Sequence, residues 1–271
     1  MSHTVLLFGA GNMGFAMMTG WLRQDPDLQV YVVEPDDGLR DRAARAGAWP
    51  VPAATQLPAD TGIDLVVLAV KPDKVERVLS DCGLLARSGV AFLSVAAGVT
   101  LTQMAGCLPP KTPLIRCMPN TPAAVGLGMM VLCPGPEVDA RSRALVGTLM
   151  ATSGTVAWLA DEGMMDAVTA ISGSGPAYVF HFIEALTDAG VGLGLPADLA
   201  ALLASQTVAG AGRMAQVSEE DPGRLRERVT SPGGTTAAAL TKLMDGAALT
   251  RLIANATRAA RDRSIELGKK G

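Results

Sequence analysis

The sequence is poor in charge, in histidine and in aromatics, and each shortage removes a class of function. Only 18% of its residues are charged, the net charge is −3, and no run of Lys or Arg occurs. Nucleic acid and anionic membrane surfaces need clustered positive charge, so neither partner is expected. The chain has 2 histidines, His3 and His181. A metal site or a Ser–His–Asp triad would rest on His181 alone, inside the apolar run YVFHFI, where a histidine satisfied by packing or a hydrogen bond is the simpler reading. Cys82, Cys107, Cys117 and Cys133 fall at irregular spacings without a C-x-x-C pair. They read as reduced thiols acting as small hydrophobes, and no metal centre is expected. No apolar run reaches the ~18 residues of a membrane span. The opening VLLFG run has neither a basic segment nor a small-residue cleavage site around it, so a cytoplasmic protein is expected.

What is present is apolar: 49% of 271 residues, enough for one large domain or two ordinary ones. With so little charge, some surface is expected to be buried between subunits. Up to about residue 160, β-rich runs alternate with helical stretches. The strands are expected at Thr4–Phe8, Gln29–Glu34, Asp64–Val70, Val90–Val95 and Leu114–Arg116, then more weakly at Gly128–Leu132 and Thr155–Leu159. Most of the early runs are almost continuously apolar, as strands of a doubly wound parallel α/β sheet should be. Beyond Trp158 the β character ends, and residues 161–190, 196–217 and 236–268 read as helices. The division therefore falls into residues 1–160 and 161–271. Gly210 and Gly212 sit in a helix interior, where each costs up to ~1 kcal/mol. Two of them together imply close approach of another helix.

Gly9, Gly11 and Gly14 form a full G-x-G-x-x-G in FGAGNMG, directly after the first strand and opening the first helix. In that context Gly9 permits the turn, Gly11 admits a pyrophosphate, and Gly14 lets helix and strand pack closely. Ala10, Asn12 and Met13 complete the loop, whose helix N-terminus favours phosphate. Glu34, twenty residues beyond Gly14, ends the second strand in VVEPDD. An acid there accepts from ribose hydroxyls and repels a 2′-phosphate, which favours NADH over NADPH. Ala69, Val70, Lys71 and Pro72 end the third strand, where open parallel sheets hold ligands. Lys71 reads either as a catalytic cation or as a solvated lysine. Val95, Ala96 and Ala97 lie in SVAAG at the end of the fourth strand, with small side chains that leave room for a ligand.

The ordered set GAGNMG, AVKP, SVAAG, RCMPNTP (Arg116–Pro122), SGSGPAY (Ser172–Tyr178) and TSPGGTT (Thr230–Thr236) closely resembles the pyrroline-5-carboxylate reductase family, over essentially the whole chain. The resemblance implies a Rossmann domain followed by an all-helical dimerisation domain, with dimers assembling into a larger ring. It implies reduction of the cyclic imine Δ1-pyrroline-5-carboxylate to L-proline by NADPH or NADH. Cofactor contacts would fall on Gly9–Gly14, Ala69–Pro72, Val95–Ala97 and Glu162. The substrate would lie at Glu219, Ser231, Gly233, Gly234, Thr235 and Thr236, in a cleft completed by a neighbouring subunit. Many relatives carry a small or basic residue after the second strand and use NADPH, so E-P-D-D here leaves the cofactor preference open.

The residues of TSPGGTT fit a carboxylate anchor on their own chemistry. A carboxylate needs converging donors, and a helix N-terminus supplies unpaired N–H groups. Pro232 is expected to start the helix, and Gly233 and Gly234 leave the backbone accessible. Thr236, which the resemblance turns toward the ring nitrogen, is too weak an acid to be an essential proton donor; its role is positioning. SGSGP is expected to bend or interrupt its helix. Two other readings compete. A β-hydroxyacid dehydrogenase would need a catalytic lysine on a helix of the second domain, which offers only Lys242, Lys269 and Lys270. A non-catalytic dinucleotide-binding oligomer would not need SGSGP and SPGGTT.

Overall fold

Eight strands pair into one sheet in a computed structural model that describes residues 3–58 and 61–268. They are β1 (Thr4–Phe8), β2 (Gln29–Val33), β3 (Trp49–Val51), β4 (Leu65–Leu68), β5 (Ala91–Ser94), β6 (Leu114–Met118), β7 (Gly128–Pro134) and β8 (Gly154–Trp158). The order is β3-β2-β1-β4-β5-β6-β7-β8. All residues of TVLLF and LVVL are buried, because helices cover both faces. On one face α1 (Asn12–Gln24) sets Met17, Met18 and Trp21 against Val5, Leu7, Val30 and Val32. On the other, α3 (Pro72–Asp81) sets Val75 and Leu79 against Leu6, Phe8, Val66 and Leu68. Between them in the chain lies α2 (Asp37–Arg45); α4 (Gly83–Arg87) and α5 (Leu101–Gly106) follow α3.

Two features depart from the expected sheet. β3 was hidden because WPV is short and holds a proline; as an edge strand on β2 it tolerates the missing donor. β7 runs antiparallel to β6 rather than parallel. Only residues 119–127 join the two, folded as a 3₁₀ turn at Thr121–Val125, and a parallel return needs a crossover of a dozen residues or more. β8 does return parallel to β7, by way of α6 (Ala140–Ala151).

The chain divides into two compact units, Gly175–Ala259 and the remainder. In the larger, α7 (Met165–Val168) leads into a π-helical turn at Thr169–Gly173, closed by Ser174 N–H donating to Thr169 O at 2.8 Å. This is the interruption expected of SGSGP, and Met118 explains part of it, since a Cβ on Gly173 would stand 2.4 Å from Met118 Cε.

The smaller unit holds α8 (Gly175–Gly192), α9 (Ala197–Val217), α10 (Pro222–Arg228), α11 (Thr235–Met244) and the start of α12 (Ala248–Gly268). The expected helix 236–268 is broken at Asp245–Ala247, where Gly246 and Ala247 take φ of +51° and +56°. The final turns of α12 belong to the larger unit, where Ser264 Oγ donates to Asp166 at 2.6 Å. Helices α8 and α9 meet where Gly190 faces Ala200. Yet Ala200 and Ala204 are the buried hydrophobics of the smaller unit, whereas Phe180, Leu202 and Leu252 stay 59%, 64% and 64% exposed. Nothing lies within 4 Å of a Cβ built on Gly210 or Gly212.

Helices with so little core of their own need another surface. Leu202→Asp should therefore reduce the mass seen in light scattering and lower stability by about 1.5–3 kcal/mol per copy, the value of one buried leucine. Unchanged mass and melting temperature would show that this face stays in water.

Candidate functional site

The sheet reverses its winding between β1 and β4, and at that switch point the carboxyl ends of three strands converge. Register carries Phe8 beside Val33 and Leu68. Gly9 N–H then donates to Val33 O at 3.0 Å, and Ala69 N–H donates to Phe8 O at 2.8 Å. Gly9 has φ +93°, and a Cβ there would meet Ala69 O at 2.6 Å. A Cβ on Gly14 would stand 2.1 Å from Gly9 O, so this glycine lets α1 cross the strand end. Gly11 differs: nothing lies within 4 Å of its Cβ position. It caps α1 without a side-chain hydrogen bond, and no acid occupies the first turn. Asn12 is exposed, and Met13 packs against the core. The loop therefore presents free space and an uncapped helix N-terminus, a fit for pyrophosphate.

Glu34 is buried at the end of β2. Its Oε2 accepts from Ala10 N–H at 2.8 Å and its Oε1 from Asp36 N–H at 3.1 Å. Each oxygen keeps a further lone pair for a hydroxyl. Across the sheet, Lys71 is exposed and caps α3, with Pro72 at its first position. Val95 N–H donates to Leu68 O at 3.0 Å, and Ala96 N–H to Ser94 Oγ at 3.3 Å, leaving Ala97 at the loop surface.

Glu162 lies just beyond β8, and its Oε1 accepts from Arg116 Nη1 and from Leu101 N–H, both at 2.9 Å. Arg116 is buried in β6 opposite Ser94, so the pair ties the loop after β5 to the segment after β8. Sequence reasoning missed this function of Arg116, although an arginine in an apolar strand was a visible signal. It also missed Asn120, whose Nδ2 donates to Ser172 O at 3.0 Å while its Oδ1 accepts from Met129 N–H at 2.8 Å, bracing the π turn.

In the smaller unit, Ser231 to Gly234 form a turn closed by Gly234 N–H donating to Ser231 O at 3.0 Å. Pro232 occupies its second position and Gly233, with φ +70°, its third, the pattern of a type II turn. Contrary to the expectation from the sequence, Pro232 therefore does not start the helix; α11 begins at Thr235, after the turn. Gly234 caps α11 without a side-chain bond, and no acid stands in the first turn. Thr235 is exposed and Thr236 half-buried. Glu219 is exposed just before α10, which an ion pair of Glu220 with Arg228 at 2.7 Å braces along its length. Glu219 and Ser231 thus flank the two ends of one short helix.

Other candidates are placed plainly. His181 is exposed on α8, with Nδ1 3.1 Å from Glu184 Oε2. Lys242 ends α11, and Lys269 and Lys270 lie outside the described residues. All four cysteines are unpaired, and burial pushes the Cys82 thiol up to about 12. Among the described residues no cluster of three His, Cys, Asp or Glu could hold a metal ion, and no helix is long and apolar enough to cross a membrane. Two half-open pockets of the larger unit lie away from the glycine loop. One of about 360 Å³ lies between α3 and α5 and another of about 290 Å³ beside Lys111.

The glycines separate by experiment. Gly14→Ala should cost at least ~1–3 kcal/mol, because a backbone carbonyl must move. Gly11→Ala, at φ −60°, should unfold as wild type does while weakening dinucleotide binding. Equal losses of stability in the two variants would contradict this division of roles.

Comparison with known proteins accords with this geometry. Residues 162–267 match a family model described as pyrroline-5-carboxylate reductase dimerisation, and residues 4–98 one described as NADP oxidoreductase, coenzyme F420-dependent. The chain is 38% identical to the pyrroline-5-carboxylate reductase of Pseudomonas aeruginosa, over 98% of this chain and 97% of that one. Among solved structures, a pyrroline-5-carboxylate reductase from Coxiella burnetii superposes with a TM-score of 0.92 at 33% identity, covering 98% of this chain and 99% of that one. Plasmodium falciparum pyrroline carboxylate reductase, with NADP bound, superposes at 0.81 and 29% identity, covering 98% and 99%. The chain belongs to the pyrroline-5-carboxylate reductase family.

Proposed function

We propose that this protein reduces Δ1-pyrroline-5-carboxylate to L-proline. The observation that carries the reading is likeness to a reductase of that name over 98% of the chain. A reduced nicotinamide dinucleotide, when bound, supplies the hydride. The open N-terminus of α1 suits its pyrophosphate, so Gly9, Ala10, Gly11, Asn12, Met13 and Gly14 would hold that part. Ala69–Pro72, Val95–Ala97 and the Glu162–Arg116 pair line the other strand ends and would hold the remainder. Glu34 would meet the adenosine ribose. Both reduced cofactors would serve, with NADH favoured by the buried carboxylate.

The substrate's carboxylate would sit on the uncapped start of α11, among Ser231, Gly233, Gly234 and Thr235, with Glu219 at the opposite end of α10. Thr236 would hold the ring nitrogen by its hydroxyl. The imine nitrogen takes its proton from solution, so no buried acid is required of a chain with so few histidines. Functionally the chain would divide into a dinucleotide-binding part, residues 1–160, and a dimerising, substrate-binding part, residues 161–271. The uncovered faces of α8 and α9 support a homodimer, and a further ring of dimers follows the family resemblance. Four free thiols suit a cytoplasmic enzyme.

Steady-state assay with pyrroline-5-carboxylate and each reduced cofactor tests the reaction directly; absence of turnover with both would leave only a dinucleotide-binding protein. Within that assay, Thr236→Ala should cost about one charge-assisted hydrogen bond, ~1.5–3 kcal/mol, or roughly 10- to 150-fold in kcat/KM. Cofactor binding to the free enzyme should hardly change. A much larger loss would make the hydroxyl an obligatory acid, and none at all would remove the substrate from this turn.

Cofactor preference is tested by Glu34→Gln, which keeps an acceptor for Ala10 N–H but removes the charge. A like charge at contact distance is worth about 1–4 kcal/mol between water-like and near-surface screening. The NADPH/NADH ratio of kcat/KM should therefore rise at least about 5-fold. An unchanged ratio would mean that Glu34 does not face the ribose.

A further inference from the structure

Both polar atoms of the Ala10 peptide group-bearing residue are held by charged side chains from outside the glycine loop. Its N–H donates to Glu34 Oε2 at 2.8 Å, and its carbonyl accepts from Arg42 Nη2 at 2.6 Å. Arg42 comes from α2, and its guanidinium carbon stands 3.9 Å from the centroid of the Phe15 ring on α1. Arg42 Nε is buried without a hydrogen-bond partner. The side chain is therefore fixed by one carbonyl and one aromatic face, at the cost of an unsatisfied donor. Arg40, the other arginine near the loop, donates to Glu34 O at 2.8 Å and pairs with Asp37.

These contacts address a particular weakness. Glycine at positions 9, 11 and 14 gives the loop more backbone freedom than residues with a side chain would at those positions. Binding a pyrophosphate through its N–H groups requires that freedom to be lost. Arg42 and Glu34 remove part of it in advance, because the first fixes the carbonyl of Ala10 and the second its N–H. The two side chains also carry opposite charge, so the loop is braced without a net charge being placed beside an anionic ligand.

We infer that Arg42 is a positioning residue for cofactor binding: acting through the Ala10 carbonyl and the Phe15 ring, it holds the Gly9–Gly14 loop in its binding conformation. The inference rests on the assignment of the dinucleotide to that loop. It makes Arg42 indifferent to the 2′-phosphate, since its contacts are with the backbone and with a ring. It therefore sets affinity for both cofactors, whereas Glu34 sets the choice between them.

The test uses the intact oligomeric enzyme, with direct titration of NADH and of NADPH beside steady-state kinetics. Arg42→Met, which keeps an apolar chain over Phe15 without a donor, should raise the Kd of both cofactors about 10-fold, the effect of ~1.4 kcal/mol. The ratio of the two Kd values should stay within about twofold, as should kcat at saturating cofactor and KM for the imine. Arg42→Lys, which keeps a charged donor, should recover part of the loss, and it decides the matter if the Met variant does not fold. Wild-type Kd values in both variants would overturn the inference. So would a loss confined to NADPH, which would make Arg42 a reader of the 2′-phosphate, or a fall in kcat at unchanged Kd. A wild type that binds neither cofactor would instead remove the assignment beneath it.

Discussion

The contact between Gly14 and the carbonyl of Gly9 is the constraint on which the first unit turns. It lets α1 leave β1 at once and lie against the sheet, with Met17, Met18 and Trp21 reaching one face of the core. A longer connection would carry the helix N-terminus away from the strand ends. Because the connection is short, the N-terminus points over the switch point, where the segments after β2 and β4 also end. Close packing and an open helix N-terminus thus come from one arrangement: Gly14 is occupied by the fold, and Gly11 is left open by it.

The second unit depends on a different balance. Its helices carry large apolar side chains but bury mainly small ones within the chain. Burial of apolar area is the main favourable contribution to folding, so such helices gain stability from a further apolar surface laid against them. The close helix approach expected at Gly210 and Gly212 is not made by the described residues of this chain, since nothing lies within 4 Å of a Cβ built on either.

The sequence made the fold legible wherever local pattern and global packing agree. Strands β1, β4 and β5 show as apolar runs because both faces of the sheet are covered there, and the glycine loop shows because Gly9 and Gly14 answer to sterics at close range while Gly11 is left open. β3 was not legible, since three residues with a central proline have no periodicity and their pairing depends on a neighbour far along the chain. The antiparallel turn of β7 was hidden for a different reason: its direction follows from the length of the connection, not from strand composition. In the candidate site, Glu34 was legible by its distance from Gly14. Its bonds to Ala10 and Asp36 were not, nor was the arginine that holds the same residue from the other side. Arg116 with Glu162, and Asn120 with Ser172, join residues 46 and 52 positions apart, and no short motif records such a partnership.

The turn at TSPGGTT shows how a motif can be built differently from what its composition suggests. Proline before two glycines reads as a helix start, but the chain uses Pro232 and Gly233 to fold back first, and Gly234 then caps α11. The fold-back has a consequence for the donors. Gly234 N–H is spent on Ser231 O, so the free N–H groups offered to a ligand begin at Thr235 rather than at the proline. Ser231 Oγ and O lie against the same turn, 2.5 and 3.2 Å from a Cβ built on Gly234. Any side chain at Gly234 must therefore displace the serine, whereas Gly233 faces open space and is required for its positive φ alone. The two glycines are needed for separate reasons, one steric and one conformational, and both reasons serve to bring backbone donors and threonine hydroxyls to one end of one helix.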